Sequence, residues 1–429
     1  MPNINTIFLF LFITTLPFQE DLPTIGGFSV PAIMTIILGF NAFIKNPNRL
    51  LYFVKSKLSL LFFVFILVSI VMETIHPYSS YKGIIRVANM YLGGIVLAFY
   101  IRNSKDFFKI INYYVIAALI MSAFVLPFGW RVLASSAVLD FEEANFLRGQ
   151  IQRAILISNN VNNIAYTAML GAAICLFNII FLKGKKKLNL VMFFILFMTV
   201  LTSMSRGGLI IIVFSTFLTL IYFRKINLNR LPYLIIIILA GIFIMPKSYL
   251  VRLVGTRTEQ SQSDGEFALD SRKSTFEASI EEIKKNFLFG VGEGNMFTSY
   301  GFKTRLVMGD EYGMAYRVGG THNMFFGTIL HYGLLGILFY ILFIYKSIKM
   351  LPFRKSPYPE DIYLTLFSFA GLTLLFFMHD GSNKEYTIIY GLLLAHYHFL
   401  RYQQKMILQA KNIVTDSLLL PAVNLIKQN

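Results

Sequence analysis

The sequence predicts an all-α membrane protein with about twelve transmembrane helices, and three observations support this fold class. Of the 429 residues, 56% are hydrophobic and 14% are charged, whereas a soluble domain is about 25% charged. Apolar runs of membrane-spanning length recur along the chain, and basic residues gather in every second connection between them. These features exclude a soluble enzyme and a disordered chain. The single cysteine, Cys175, excludes an internal disulfide framework.

Twelve apolar segments are the candidate spans. A helix needs about 20 mainly apolar residues to cross roughly 30 Å of hydrocarbon, and several segments are shorter than that. They lie near residues 5–18, 27–44, 58–75, 84–101, 108–128, 161–182, 188–204, 208–223, 231–246, 322–345, 362–378 and 386–400. The first segment lacks a preceding basic residue and a small-residue cleavage pattern, so we expect a retained helix rather than a cleaved signal peptide. Residues 1–429 then form one integral membrane domain.

The basic residues predict which side of the membrane each connection faces. Six alternate segments hold 22 of the 39 Lys and Arg residues but only four Asp and Glu residues. They are 45–57, 102–109, 183–187, 224–230, 346–361 and the tail 401–429. The positive-inside rule places these segments and both termini in the cytoplasm. The net charge of +17 is therefore a topology signal and gives no support to a nucleic-acid partner.

The opposite, outer side is enriched in arginine. It carries 10 Arg and 7 Lys, against 6 Arg and 16 Lys on the cytoplasmic side. Orientation in the membrane needs only positive charge, but the planar guanidinium group also binds phosphate or carboxylate through two parallel hydrogen bonds. The pattern indicates recognition of an anion on the outer side. Pairing of these arginines with the 18 acidic residues beside them is the alternative.

Two outer connections are long, residues 129–160 and residues 247–321. In the second, four apolar residues follow the period of one helix face, namely Phe276, Ile280, Ile283 and Phe287. This spacing predicts an amphipathic helix over about 272–287, lying against the membrane surface or the helix bundle. Arg272 falls in its first turn, where backbone N–H groups also favour an anion.

A glycine-rich segment, GVGEGN at residues 290–295, follows that helix. Glycines let a backbone approach a ligand closely. No strand precedes the segment, so the context of a dinucleotide-binding motif is missing. A plain turn is the alternative interpretation.

Two arginines lie where apolar runs meet the outer side. Arg206 stands in TSMSRGG at 202–208, which separates two apolar runs by very few residues. A charged residue at mid-bilayer costs about 2.5–3.5 kcal/mol, so such residues usually face a cavity or a partner. Snorkelling to the interface is the alternative. The same two alternatives apply to Arg86, in GIIRVAN at 83–89: it faces a cavity or a partner, or it snorkels to the interface.

A histidine marks the point where the long outer connection re-enters the membrane. His322 stands in THNMF at 321–325, at the positive end of a predicted helix dipole. That position favours the neutral imidazole, which is the form that a general base needs. A hydrogen-bonded structural histidine is the alternative. The other five histidines show no metal-ligand spacing, so we expect no metal site.

Three segments in order resemble the O-antigen ligase and O-antigen polymerase superfamily. They are TSMSRGG at 202–208, SRKSTFEASIEEIKKNFLFGVGEGN at 271–295 and THNMFFGTILHYGLLGILFY at 321–340. A fourth, NNVNNIA at 159–165, is similar to an Asn-rich element of that family. The resemblance implies a bundle like that of the C-type glycosyltransferases, with periplasmic outer loops. It also implies metal-independent transfer of glycans from an undecaprenyl-diphosphate carrier at the bacterial inner membrane.

Carried over to this chain, the resemblance implies roles for particular residues. Arg206 and Arg272 would bind the donor diphosphate and stabilise the charge that grows on it. His322 would take the proton of the acceptor hydroxyl, with Glu293 as the alternative base, and a one-step displacement would invert the anomeric centre. The further candidates for substrate binding are Arg86, Asn163 and Asn323.

The sequence allows two acceptors, and each defines a different class of enzyme. A polymerase would extend a second carrier-linked glycan, and a ligase would transfer the glycan to lipid A-core. The composition, rich in Phe, Ile, Lys and Asn, resembles that of proteins encoded in AT-rich gene clusters for surface polysaccharides. Polymerases reside in such clusters, so the composition favours the polymerase. The H-x10-G pattern from His322 to Gly333 resembles the ligase motif, but Ile210 stands where an R-x3-L pattern has leucine.

A lipid-linked oligosaccharide flippase is the third function considered. A transporter would show internal repeats and short loops, whereas this chain has a 75-residue outer connection. The expected partners of the enzyme are the lipid-linked donor, one of the two acceptors and the lipid bilayer. A chain-length regulator would be a further partner of a polymerase.

Overall fold

The computed structural model describes twelve main helices. The described residues are 4–18, 28–76, 81–135, 146–147, 150–151, 161–181, 185–223, 279–280, 282–292, 324–352, 358–377 and 385–400. The helices are α1 (Ile4–Thr15), α2 (Val30–Lys45), α3 (Pro47–Val54), α4 (Lys57–Ile75), α5 (Lys82–Tyr100), α6 (Ser104–Ser135), α7 (Val161–Phe181), α8 (Lys186–Ser203), α9 (Arg206–Tyr222), α10 (Met324–Lys349), α11 (Pro359–Phe377) and α12 (Glu385–Ala395). A 3-10 turn extends α1 through Phe18, and a π-helical segment, His396–Leu400, extends α12.

The distribution of side chains is that of a membrane protein. Six of the described helices, α4, α5, α6, α7, α8 and α10, are long and apolar enough to cross a bilayer. Large apolar residues such as Leu67 and Val191 are exposed on them, while Ser59 and Thr199 are buried. Soluble proteins show the reverse tendency. The predicted all-α membrane class is confirmed, and the count of twelve spans stays a prediction, since span 231–246 lies outside the described residues.

Glycines allow α5 and α12 to pack closely. A Cβ atom added at Gly391 would lie 2.9 Å from the carbonyl oxygen of Gly94, and one at Gly94 would lie 2.6 Å from Cδ1 of Tyr390. Small residues serve this purpose in membrane bundles, where packing replaces the hydrophobic drive between helices. The hydroxyl of Tyr390 also lies 2.8 Å from that of Ser59, which ties α4 to the same group.

Buried polar side chains connect other helices. Asn178 of α7 donates to Asn189 of α8 over 2.9 Å and accepts from the hydroxyl of Tyr363 on α11. Asp361 and His396 form a buried pair between α11 and the π-helical segment. Polar groups inside a bilayer need such internal partners, so these contacts fix which helices are neighbours.

Two helices differ from the predicted spans. Helix α6 has 32 residues and ends at Ser135, well beyond the predicted span 108–128. At 1.5 Å per residue it is about 48 Å long, so it extends past a hydrocarbon core of roughly 30 Å. Helix α10 covers the described part of the predicted span 322–345, from Met324 onward, and has a non-helical residue, Gly333, inside it. That break belongs to the candidate site.

Candidate functional site

The connection between α8 and α9 is a two-residue hairpin. Met204 adopts a left-handed conformation with φ 51°, and the hydroxyl of Ser205 caps α9 by accepting a hydrogen bond from the amide of Gly208 (3.4 Å). Ser203 and Ser205 are buried. The predicted tight turn between the two apolar runs is therefore confirmed. Its two serine side chains are covered by other parts of the protein.

Arg206 is the first residue of α9. The first amides of a helix have no partner within it and carry partial positive charge, so this position adds to the attraction of an anion. A Cβ atom at Gly208 would lie 2.9 Å from Cβ of Ala165, which puts the start of α9 against the start of α7. Asn163 is half-buried in the first turn of α7. The structure thus brings Arg206 and Asn163 to neighbouring helix N-termini.

A second group forms where α10 is interrupted at Gly333. This residue has φ 64° and ψ −161°, a combination available to glycine but not to residues with a side chain. The amide of Leu334, which would donate to Leu330 in a continuous helix, donates instead to the carbonyl of Phe287 over 2.8 Å. The break is thus filled by another part of the chain, residues 287–292, which we call the docked turn.

The docked turn completes the hydrogen bonding of the broken helix. The carbonyl oxygen of Leu330 accepts from the amide of Val291 over 2.7 Å, and that of His331 accepts from the amide of Gly292 over 3.0 Å. Since buried backbone groups must be paired, helix and turn stabilise each other. A Cβ atom at Gly290 would lie 2.4 Å from the His331 carbonyl oxygen. Gly290 therefore allows close approach to the backbone of α10 and not to a ligand. For this glycine, the plain-turn interpretation of the glycine-rich segment is the better one.

The described part of the predicted helix 272–287 precedes this turn. Residues 279–280 and 282–285 are helical and the helix ends before Gly290, which has φ 73°. Its buried face holds Ser279 and Glu282, whereas Phe287 is 45% exposed. Exposed Leu288 and Phe289 follow. Three exposed apolar side chains in a row, Phe287, Leu288 and Phe289, fit a helix end that faces the membrane surface. They do not fit a helix whose Phe287 packs into the bundle.

Glu73 and His76, at the end of α4, also belong to this group, and the sequence analysis assigned them no role. A Cβ atom at Gly292 would lie 2.8 Å from Cδ2 of His76 and 3.2 Å from Oε2 of Glu73. Glu73 is fully buried. One signal in the sequence pointed to it, because Glu73 is an acidic residue inside an apolar span, and such residues are usually functional.

Arg86 lies near the same end of the bundle. It is exposed in the second turn of α5, and the start of α5 is tied to the end of α4 by the hydroxyls of Tyr81 and Thr74, 3.1 Å apart. The remaining predicted site residues, Arg272, Glu293, His322 and Asn323, lie outside the described residues. Among those described, no three His, Cys, Asp or Glu side chains are grouped so as to hold a metal ion.

Long apolar helices, buried polar side chains and an interrupted helix at the bundle end define a multi-pass membrane protein with a candidate site at helix ends. Residues 191–341 match the family described as O-antigen ligase. The match runs from α8 through most of α10, so it includes the hairpin, the docked turn and the helix break. It confirms the resemblance to the O-antigen ligase and polymerase superfamily and supports membrane glycan transfer of that type. A search of curated proteins finds no match to the chain.

Proposed function

We propose that this protein is an O-antigen polymerase. It joins oligosaccharide repeat units carried on undecaprenyl diphosphate at the periplasmic face of the bacterial inner membrane. The family match over residues 191–341 carries glycan transfer of the O-antigen type, and the Phe-, Ile-, Lys- and Asn-rich composition favours the polymerase over the ligase. The arginine-rich outer side, with 10 Arg and 7 Lys, supports an anionic donor, because guanidinium groups bind phosphate through paired hydrogen bonds.

The proposed reaction is a single displacement at the anomeric carbon. The acceptor hydroxyl oxygen forms a bond to C1 of the donor sugar, and the bond from C1 to the diphosphate oxygen breaks. The leaving undecaprenyl diphosphate keeps the electron pair, and Arg206 and Arg272 stabilise its charge. His322 accepts the hydroxyl proton, with Glu293 as the alternative base. The configuration at C1 is inverted.

The docked turn joins the segment that precedes Glu293 to helix α10. Gly292 hydrogen-bonds to helix α10 and is followed directly by Glu293. Helix α10 begins at Met324, two residues after His322. The turn contacts α10 at Leu330 and His331, about 10 Å along the helix from Met324, so it ties the chain just before Glu293 to the helix that follows His322.

An apolar groove between α10, α11 and α12 suits part of an isoprenoid tail. It is open on one side, has a cavity volume of about 60 Å³ and is lined mainly by apolar residues, among them Phe343, Ile348, Leu372, Ile389 and Leu393. A carrier lipid bound there would stay anchored in the membrane while its diphosphate and sugars reach the helix ends.

The position of the site residues favours an enzyme over a flippase. Transporters bind their substrate near the middle of the membrane. Arg86, Asn163 and Arg206 instead lie in the first two turns of their helices. An enzyme that transfers glycans at one face of the membrane would have its substrate-binding residues at helix ends, as these are.

The ligase is the second candidate, and the pattern from His322 to Gly333 favours it. A gel of surface lipopolysaccharide from a strain lacking the gene separates the two functions. We expect core bearing a single repeat unit, the result for a missing polymerase. Bare core with long glycan retained on undecaprenyl diphosphate would assign the ligase. A normal ladder would contradict both functions.

The proposed orientation predicts which positions an impermeant reagent reaches. The only cysteine, Cys175, is fully buried, so a Cys175→Ala background carries no reactive thiol. In that background we expect Lys285→Cys, whose parent side chain is 59% exposed, to react with an impermeant maleimide in intact spheroplasts. The exposed Lys105 supplies the matched control, and Lys105→Cys should react only after lysis. The reverse pattern would contradict a periplasmic site.

A further inference from the structure

The end of α4 presents a buried acid and an imidazole next to the docked turn. The helix ends at Ile75, and the amide of His76 donates to the carbonyl of Glu73 over 3.3 Å. Glu73 continues the buried face of α4 that includes Ser69 and Met72. A carboxylate and an imidazole are thus held at the point where the chain leaves the bundle.

Both side chains lie against Gly292. Cδ2 of His76 and Oε2 of Glu73 lie 2.8 and 3.2 Å from the point where a Cβ atom of Gly292 would stand, so these two atoms are at most 6.0 Å apart. The next residue along the chain is Glu293, which was named above as the alternative base. The pair is therefore adjacent to the segment that carries a candidate base.

The imidazole has an unused hydrogen-bonding atom. Nε2 of His76 is buried and has no hydrogen-bond partner within the described part of the chain. A buried polar atom left without a partner costs about 1–3 kcal/mol, which is recovered when a ligand supplies the partner. Glu73 already has an interaction within the protein, so the atom left for a ligand is Nε2 of His76.

The charge of this pair selects the kind of ligand. The acidic side chain of Glu73 lies beside the same glycine as His76, and an acid offers no attraction to a second anion such as the carrier diphosphate. A sugar hydroxyl fits, because it both donates and accepts hydrogen bonds and satisfies either tautomer of the imidazole. The arginine at the start of α9 remains the group that suits the diphosphate.

We propose that His76 is a glycan-binding residue, whose Nε2 hydrogen-bonds a hydroxyl of the lipid-linked oligosaccharide. The assignment rests on the proposed function for the identity of the ligand. It gives the site two parts, an anion-binding part at Arg206 and a sugar-binding part at the end of α4.

Two carrier lipids separate sugar binding from diphosphate binding. The full chain in nanodiscs is titrated with undecaprenyl-diphosphate-linked oligosaccharide from a deletion strain, and with undecaprenyl diphosphate that carries no sugar. We expect His76→Phe to weaken binding of the first about tenfold, the factor for about 1.4 kcal/mol, and to leave the second unchanged. His76→Gln keeps a hydrogen-bonding group near the Nε2 position and should restore most of the affinity.

The matched control is Ser69→Ala, on the same buried face of α4, where the hydroxyl donates to the carbonyl of Phe65 on its own helix (2.8 Å). It should bind both lipids like the wild type. Unchanged oligosaccharide binding by His76→Phe would overturn the assignment, and so would an equal loss for both lipids. Turnover in the same samples tests the proposed function separately, because a wild-type protein that binds the oligosaccharide but never transfers it would refute the enzyme and not the sugar contact.

Discussion

Replacing Gly333 with alanine is expected to remove most of the transfer activity. A Cβ atom at this position would lie 2.2 Å from the carbonyl oxygen of Leu288, and the backbone conformation itself costs a residue with a side chain about 1–3 kcal/mol. The clash is with backbone on the docked turn, so a side-chain rotation cannot relieve it. We expect the turn to separate from α10, and transfer to fall at least tenfold.

Hydrogen exchange reports the same event directly. The amides of Val291 and Gly292 donate to α10 and should lose protection in Gly333→Ala. The control is Gly39→Ala on α2, where a Cβ atom would meet only the end of Val96 at 3.3 Å. It should keep full activity, since alanine is the better helix former by about 1 kcal/mol. Wild-type activity and protection in Gly333→Ala would show that the break in α10 does not hold the site together.

Lysine in place of either site arginine is expected to lower kcat about a hundredfold. The substitutions Arg206→Lys and Arg272→Lys keep the positive charge but lose the planar fork that forms two parallel hydrogen bonds to a diphosphate. Loss of a single donor to a developing anion lowers kcat by about 10²–10³. The measurement is initial rate against donor concentration, with kcat and KM obtained separately.

The control for these variants is Arg102→Lys, at an exposed residue in a segment that the positive-inside rule assigns to the cytoplasmic side. Its transfer rate should equal that of the wild type. Full activity of Arg272→Lys would rule out the paired hydrogen bonds from Arg272 to the diphosphate. Full activity of Arg206→Lys would rule out the corresponding pair from Arg206.

Local patterns predicted the elements that depend on nearby residues. The tight turn around Arg206 followed from two apolar runs with little chain between them, and the end of the outer helix before Gly290 followed from a glycine after a periodic segment. Both are set within a few residues. The apolar spans were predictable for the same reason, because one helix must satisfy its own backbone in a membrane.

Tertiary contacts account for what the sequence pattern did not predict. Gly333 stands in an apolar helical run, and only the docked turn, more than 40 residues earlier in the chain, explains why the helix breaks there. The pairing of Glu73 and His76 with Gly292 likewise joins segments that are distant in sequence. Helix α6 continues to Ser135 because hydropathy indicates where a membrane ends and not where a helix ends.

Reconstitution of the purified protein tests the central claim most directly. Proteoliposomes containing the full chain are given undecaprenyl-diphosphate-linked repeat units, alone or with lipid A-core, and the products are separated by length. The account predicts carrier-linked glycan of two or more repeats, with one undecaprenyl diphosphate released for each new linkage and with Arg206→Lys about a hundredfold slower. Donor that remains unchanged with both acceptors would contradict glycan transfer by this protein.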